Sequence, residues 1–150
     1  MKIWTDGGCR GNGDADALGA WAFVAEDGHE EFGAVENTTN NRTELQAIIN
    51  AIRYAVGNRH QAVTIYTDSQ LCINCATGKW RQKKNTDLWR DYALTKRGVS
   101  VSFVWVRGHS GDPRNERCDR LCCDAMDDFM SASADADALR HLRSIQSEAA

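Results

Sequence analysis

The sequence predicts an α/β domain: a five-stranded mixed sheet, three antiparallel strands and then parallel strands, flanked by helices. Three observations predict it. Three β-type stretches lie between Lys2 and Glu36, separated by turn signals. Helix-period stretches then alternate with two further β-type stretches. The chain has 150 residues, 42% hydrophobic and 26% charged, which suits one domain with a real core.

Lys2 to Thr5 reads as a short strand entering Asp6, and the four glycines between Gly7 and Gly13 are expected to break it. Gly19 to Ala25 is apolar on both faces and reads as a second strand. Asp27-Gly28 is a hairpin signal. Glu30 to Glu36, alternating around Phe32 and Ala34, reads as a third strand and completes an antiparallel meander. Leu45, Ile48, Ile49, Ile52 and Val56 recur at helical spacing, with Gly57 placed to close the helix. Ala62 to Thr67 is a β-rich strand ending at Asp68. Ser69 to Ala76 reads as a short helix stopped by Gly78. Thr86 to Lys96 reads as another, with Leu88, Trp89, Tyr92 and Ala93 as its apolar stripe and Gly98 as its cap. Val99 to Val106 is a fifth strand. Asp112-Pro113 supplies an N-cap and first residue for a last helix, whose buried face is Cys118, Leu121, Cys122, Ala125, Met126 and Phe129. The order is βββαβααβα. A helical crossover separates strands three and four, so strands one and four are expected to pair in parallel. The domain is read as residues 1–130. Residues 131–150 form a C-terminal tail, helical or frayed. Within it Ser131 to Ala138 is small and polar, and Leu139, Leu142 and Ile145 give a weak amphipathic pattern.

No apolar run is long enough to span a membrane. The start Met1-Lys2-Ile3-Trp4-Thr5-Asp6 carries no apolar signal region, so a cytoplasmic location is expected. The six cysteines are expected to stay reduced there. Net charge is −3, so any attraction to nucleic acid must come from a local basic patch or bound metal.

Asp6 and Asp68 each end a strand read as parallel, where ligands of open α/β sheets bind. Neighbouring strands lie about 5 Å apart, so both aspartates can reach one cation. Glu44 has two readings. Asn41-Arg42-Thr43-Glu44 fits a capping box with Asn41 as N-cap, and a first-turn glutamate can also face the strand ends. Asp119 shares the last helix with Asp124 and Asp127, and periodicity does not separate them. His109 sits in the glycine-flanked loop Gly108-His109-Ser110-Gly111, where a histidine can titrate near neutrality and move protons. His29, His60 and His141 have no comparable setting. Cys72-x-x-Cys75 and Cys118-x-x-x-Cys122-Cys123 raise a zinc site, but they fall on or near apolar helix faces, where core thiols are the commoner explanation.

Four segments, in this order, resemble ribonuclease H type 1: Thr5-Asp6-Gly7-Gly8, Asn40 to Leu45, Tyr66 to Gln70, and His109-Ser110-Gly111 with Asn115 to Asp119. The resemblance runs from about Lys2 to about Phe129. It implies the ribonuclease H-like fold and endonucleolytic hydrolysis of the RNA strand of RNA–DNA hybrids, giving 5′-phosphate and 3′-hydroxyl ends. It implies two Mg2+ ions, for which Mn2+ can substitute, on Asp6, Glu44, Asp68 and Asp119, with His109 as a mobile proton carrier. Asn12, Asn40, Asn41 and Gln70 match residues that touch the hybrid's minor groove, where 2′-hydroxyls can be read. Thr39 and Arg42 match positions near DNA-strand phosphates. Many bacterial members carry an extra helix and basic loop, the handle, between the Asp68 helix and the Asp-Leu-Trp helix. Here Cys72 to Thr86 fills that space, and its run Lys79-Trp80-Arg81-Gln82-Lys83-Lys84 is read as a shortened handle that touches DNA. The expected partner is an RNA–DNA hybrid duplex, without a membrane, and the chain is expected to be a monomer. Two rivals are a catalytically weak hybrid-binding module and a proofreading-type exonuclease of the same fold. The latter places Asp-x-Glu on its first strand, where this chain has Asp6-Gly7-Gly8.

Overall fold

The computed structural model describes residues 1–149. Its strands are β1 (Lys2–Arg10), β2 (Leu18–Ala25), β3 (Glu30–Glu36), β4 (Ala62–Thr67) and β5 (Ser100–Trp105). Its helices are α1 (Asn40–Gly57), α2 (Gln70–Ala76), α3 (Thr86–Thr95) and α4 (Pro113–Ala149). The five strands form one sheet in the order β3-β2-β1-β4-β5. β1, β2 and β3 pair antiparallel, while β1–β4 and β4–β5 pair parallel. The expected order of elements and the mixed sheet are both present.

Alternation along the strands builds two cores. Ile3, Phe23, Val63 and Ile65 pack with Leu45, Ile48, Ile49 and Ile52 of α1 and with Leu88, Trp89 and Tyr92 of α3. On the other face Trp4, Ala20, Ala22 and Val24 meet Cys118, Leu121, Cys122, Ala125 and Met126 of α4. Small alanines on β2 let α4 lie close to the sheet. Cys72 and Cys75 belong to the first core, and Cys118 and Cys122 to the second, as core thiols.

Several expectations are corrected. β1 does not stop before the glycines but runs to Arg10, because β2 pairs with it residue for residue down to Arg10↔Leu18. A remote partner strand satisfies the backbone there, and so overrides the local tendency of glycine to break a strand. α1 is capped by Thr39, whose hydroxyl accepts from the Arg42 amide at 3.3 Å, and not by Asn41. The capping box with Glu44 therefore does not form. Gly57 stays helical, and the left-handed turn after α1 falls on Arg59 (φ 61°). Phe129 is 36% exposed, so the buried face of α4 ends at Met126. The stretch 131–138 is helical, and Leu139, Leu142 and Ile145 beyond it are exposed. The N-cap of α4 is as expected: Asp112 Oδ1 accepts from the amides of Arg114 and Asn115, at 3.0 and 2.9 Å.

Two glycines set how α1 lies on the sheet. A Cβ on Gly7 would stand 2.3 Å from the Glu44 amide nitrogen and 2.5 Å from the Thr43 carbonyl carbon. A Cβ on Gly19 would stand 2.5 Å from Thr38 Cγ2 and 2.7 Å from Thr43 Cγ2. The beginning of α1 therefore touches strand backbone. Gly7→Ala is expected to destabilise the fold by about 3 kcal/mol, since neither backbone can yield locally. Gly57→Ala, helical and open to solvent, is expected to be neutral or stabilising by about 0.5–1 kcal/mol. Urea unfolding of both variants measures this, and equal stabilities would contradict the close-approach account.

Candidate active site

The close packing at Gly7 brings Glu44, which is only 5% exposed, over β1. Asp6 lies just beyond the last β1–β4 parallel pair, Trp4 with Tyr66. Asp68 follows the end of β4, before Ser69 caps α2 by accepting from the Cys72 amide. One carboxylate oxygen each from Asp6, Glu44 and Asp68 falls within 4.8 Å of the others. Among the described residues the close group consists of these three. Asp119, half-buried on α4, stands outside it, yet its charge pushes up the carboxyls of Asp6 and Asp68.

Burial and mutual repulsion dominate the electrostatics. Burial first, and then the charges of Asp68 and Asp119, raise Asp6 from 3.8 to about 7. Burial, followed by the Asp6 and Asp68 charges, pushes Glu44 well above the usual carboxylate range. Asp68 is also raised by burial, offset in part by its own backbone amide and by His109. His109 itself is exposed and left-handed (φ 54°). The chain around it comes close to Asp68: a Cβ on Gly108 would stand 2.6 Å from Asp68 Oδ2. Trp105 also reaches Asp68, its indole Nε1 donating to the Asp68 carbonyl at 3.2 Å.

The residues read as substrate contacts surround the start of α1. Asn12, on the β1–β2 loop, accepts from the Asn40 amide at 3.0 Å, which joins that loop to the helix. Asn41 and Gln70 are exposed at the first turns of α1 and α2. Thr39 and Arg42 both work inside the protein. Arg42 donates to both oxygens of Asp87, at 3.0 and 2.7 Å, and to Asn85 Oδ1 at 3.2 Å. This fixes the start of α3 against α1 and holds the Asp87 carboxyl down at about 2. Lys79, Trp80, Arg81, Lys83 and Lys84 are all exposed on the loop between α2 and α3. Gln82 ties that loop down by donating to the Cys75 carbonyl at 3.2 Å. Sequence reasoning missed Trp105 and Gly108, and it took Gly7 as a strand breaker and as part of the Asp6-Gly7-Gly8 segment, not as a point of close helix approach. The signal available for Gly7 was a glycine directly after a candidate ligand, a mark of close backbone approach.

The donor set fits a hard divalent cation. All its groups are carboxylate oxygens, the ligands such ions prefer. Among the described residues no lysine or arginine is paired with the three acids. Glu44 Oε2 is buried without a hydrogen-bond partner, an orphan that a cation can satisfy.

A family model described as RNase H matches residues 1–127. A ribonuclease H from Novosphingobium aromaticivorans is 38% identical over 138 residues, covering 83% of this chain and 95% of its own. One from Treponema pallidum is 34% identical over 164 residues, covering 90% and 95%. The solved structure of LC11-RNase H1 in complex with an RNA/DNA hybrid superposes with a TM-score of 0.72 at 27% identity, over 86% of this chain and 98% of that one. RNase H1 from the halophilic archaeon Halobacterium salinarum gives a TM-score of 0.66 at 30% identity, over 85% and 97%.

The raised carboxyls predict a pH effect on the cation-free protein. An acid raised in the folded state binds more protons folded than unfolded between its two pKa values. The stability it contributes is present below pH 4 and is lost as pH rises towards about 7. Thermal unfolding in chelator should therefore show Asp6→Asn gaining on the native chain from pH 4 to pH 7. The gain should be on the order of 3–4 kcal/mol. A difference that stays flat across this window would contradict the raised Asp6 carboxyl.

Proposed function

The chain belongs to the ribonuclease H family, and from that premise we propose that it cuts the RNA strand of RNA–DNA hybrids with two divalent cations. The products are 5′-phosphate and 3′-hydroxyl ends, and the physiological ion is Mg2+. The observation that carries this reading is the convergence of Asp6, Glu44 and Asp68 just beyond the β1–β4 parallel pairing, with a buried oxygen left unpaired.

In this proposal Asp6, Glu44, Asp68 and Asp119 hold the cations. When bound, the ions supply Lewis-acid chemistry, making water a nucleophile at neutral pH and offsetting charge on the departing 3′-oxygen. His109, on a left-handed loop residue whose charge acts on Asp68, carries protons between the site and solvent. Asn12, Asn40, Asn41 and Gln70 read the minor groove, where 2′-hydroxyls distinguish RNA from DNA. Thr39 orders the start of α1 for the DNA strand, and Arg42 is placed beside it. Lys79, Arg81, Lys83 and Lys84 contact phosphates from the short loop, and Trp80, 51% exposed, offers a flat apolar surface to a sugar or base. One chain supplies all of these groups, so a monomer suffices. No helix of the described residues is long and apolar enough to cross a membrane.

The test offers labelled RNA–DNA hybrid, RNA duplex, DNA duplex and single-stranded RNA, with Mg2+ and with chelator. Cleavage is expected for the hybrid alone and only with the ion. Hybrid binding without cleavage would select a binding module instead. Asp6→Asn is expected to remove cleavage while the fold persists. His109→Ala is expected to lower turnover by about 10²–10⁴-fold and leave measurable cleavage. Replacing the four basic loop residues with Ser should raise the Michaelis constant more than it lowers turnover, because those residues hold ground and transition states alike. It should also flatten the log-affinity versus log-salt slope by about 0.7–0.9 for each phosphate no longer neutralised. An unchanged slope would return the loop to a solvated segment.

A further inference from the structure

We propose that Trp105 and Gly108 are positioning residues for Asp68, built to keep its carboxylate on the cation site. The proposal rests on the metal-site reading above and deepens it. Asp6 and Glu44 are fixed by burial, at 6% and 5% exposure. Asp68 is only half-buried and sits in the short turn between β4 and α2. Something other than core packing must therefore hold it within 4.8 Å of the other two.

The end of β5 and the segment after it supply two contacts. Trp105 pairs with Thr67 in the sheet, and its indole Nε1 donates to the Asp68 carbonyl at 3.2 Å. That carbonyl belongs to the turn residue itself, so the bond fixes the backbone that carries the carboxylate. The ring is 48% exposed, so core burial alone does not account for a tryptophan here. Gly108 then passes so close that a Cβ would meet Asp68 Oδ2 at 2.6 Å. Gly108 has no positive φ, unlike Gly11, Gly13 and Gly111, so its value lies in the space it leaves. Its absent side chain lets the loop lie against the carboxylate without pushing it off the site. Partners of this kind, which orient a ligand without binding the ion, typically govern metal affinity by about 10–100-fold.

Trp105→Phe keeps a ring and removes the donor. Gly108→Ala keeps the donor and fills the space. Mg2+ binding to the native chain and to each variant is measured by titration calorimetry without nucleic acid, beside thermal unfolding in chelator. Each variant is expected to bind Mg2+ about tenfold more weakly, with unfolding in chelator close to native. The concentration of Mg2+ that half-saturates cleavage should rise by the same factor, and turnover should recover at high Mg2+. Native-like affinity in a folded variant overturns the role of that residue and leaves the metal-site reading standing. If Trp105→Phe does not fold, Gly108→Ala decides the proposal through its own contact. Failure of the native chain to bind Mg2+ overturns the metal-site reading and the proposal together.

Discussion

The arrangement depends on one steric constraint: α1 lies on the sheet at backbone contact distance. Gly7 and Gly19 have no side chains to hold it off, and the beginning of the helix fills that space. The close approach places Glu44 beside Asp6, and the turn after β4 brings Asp68 to the same point. A methyl group at Gly7 would lift the helix and separate the acids. The local geometry of two strand glycines thus governs a site whose charged groups come from three different parts of the chain.

The site is costly to the fold. Three acids crowd together with buried edges, and neither a lysine nor an arginine is paired with them among the described residues. Burial and mutual repulsion favour the protonated forms of Glu44 and Asp6, which lowers that cost. Two apolar cores, one on each face of the sheet, supply the compensating stability. In the proposed function the same acids become ligands when a divalent ion displaces their protons. Net charge is negative, so the proposed hybrid binding relies on the basic loop between α2 and α3 and on the proposed ions.

Much of this was legible in the sequence because period-2 and period-3.6 patterns report which face is buried. Ile48, Ile49 and Ile52, or Leu121, Cys122 and Ala125, announce their helices and their cores. The order of elements and the mixed sheet follow from them, and the four acidic segments carry the family. What stayed hidden was set by distant partners. β1 runs through its glycines because β2, across the intervening loop, satisfies its backbone. Thr38, Thr39, Asn40 and Asn41 can all cap a helix by residue type, and only the packing of Thr38 and Thr43 against Gly19 fixes where α1 begins, with Thr39 as its cap. The stretch after Phe129 is rich in Ala and Ser with two Asp, which reads locally as a linker, yet it continues the helix already nucleated in α4. Arg42 looks like a free cation until its partner Asp87, forty-five positions away, is seen. Trp105 has no sequence signal separating it from an ordinary edge-strand aromatic.

The central claim is that Asp6, Glu44 and Asp68 form a proton-holding cluster that gives up its protons to a divalent ion. Titration calorimetry of the native chain with Mg2+ at pH 7, repeated in buffers of different ionisation enthalpy, counts the protons released on binding. The account predicts that protons leave on binding, and that Asp6→Asn lowers the number released. Binding that releases no protons would contradict it.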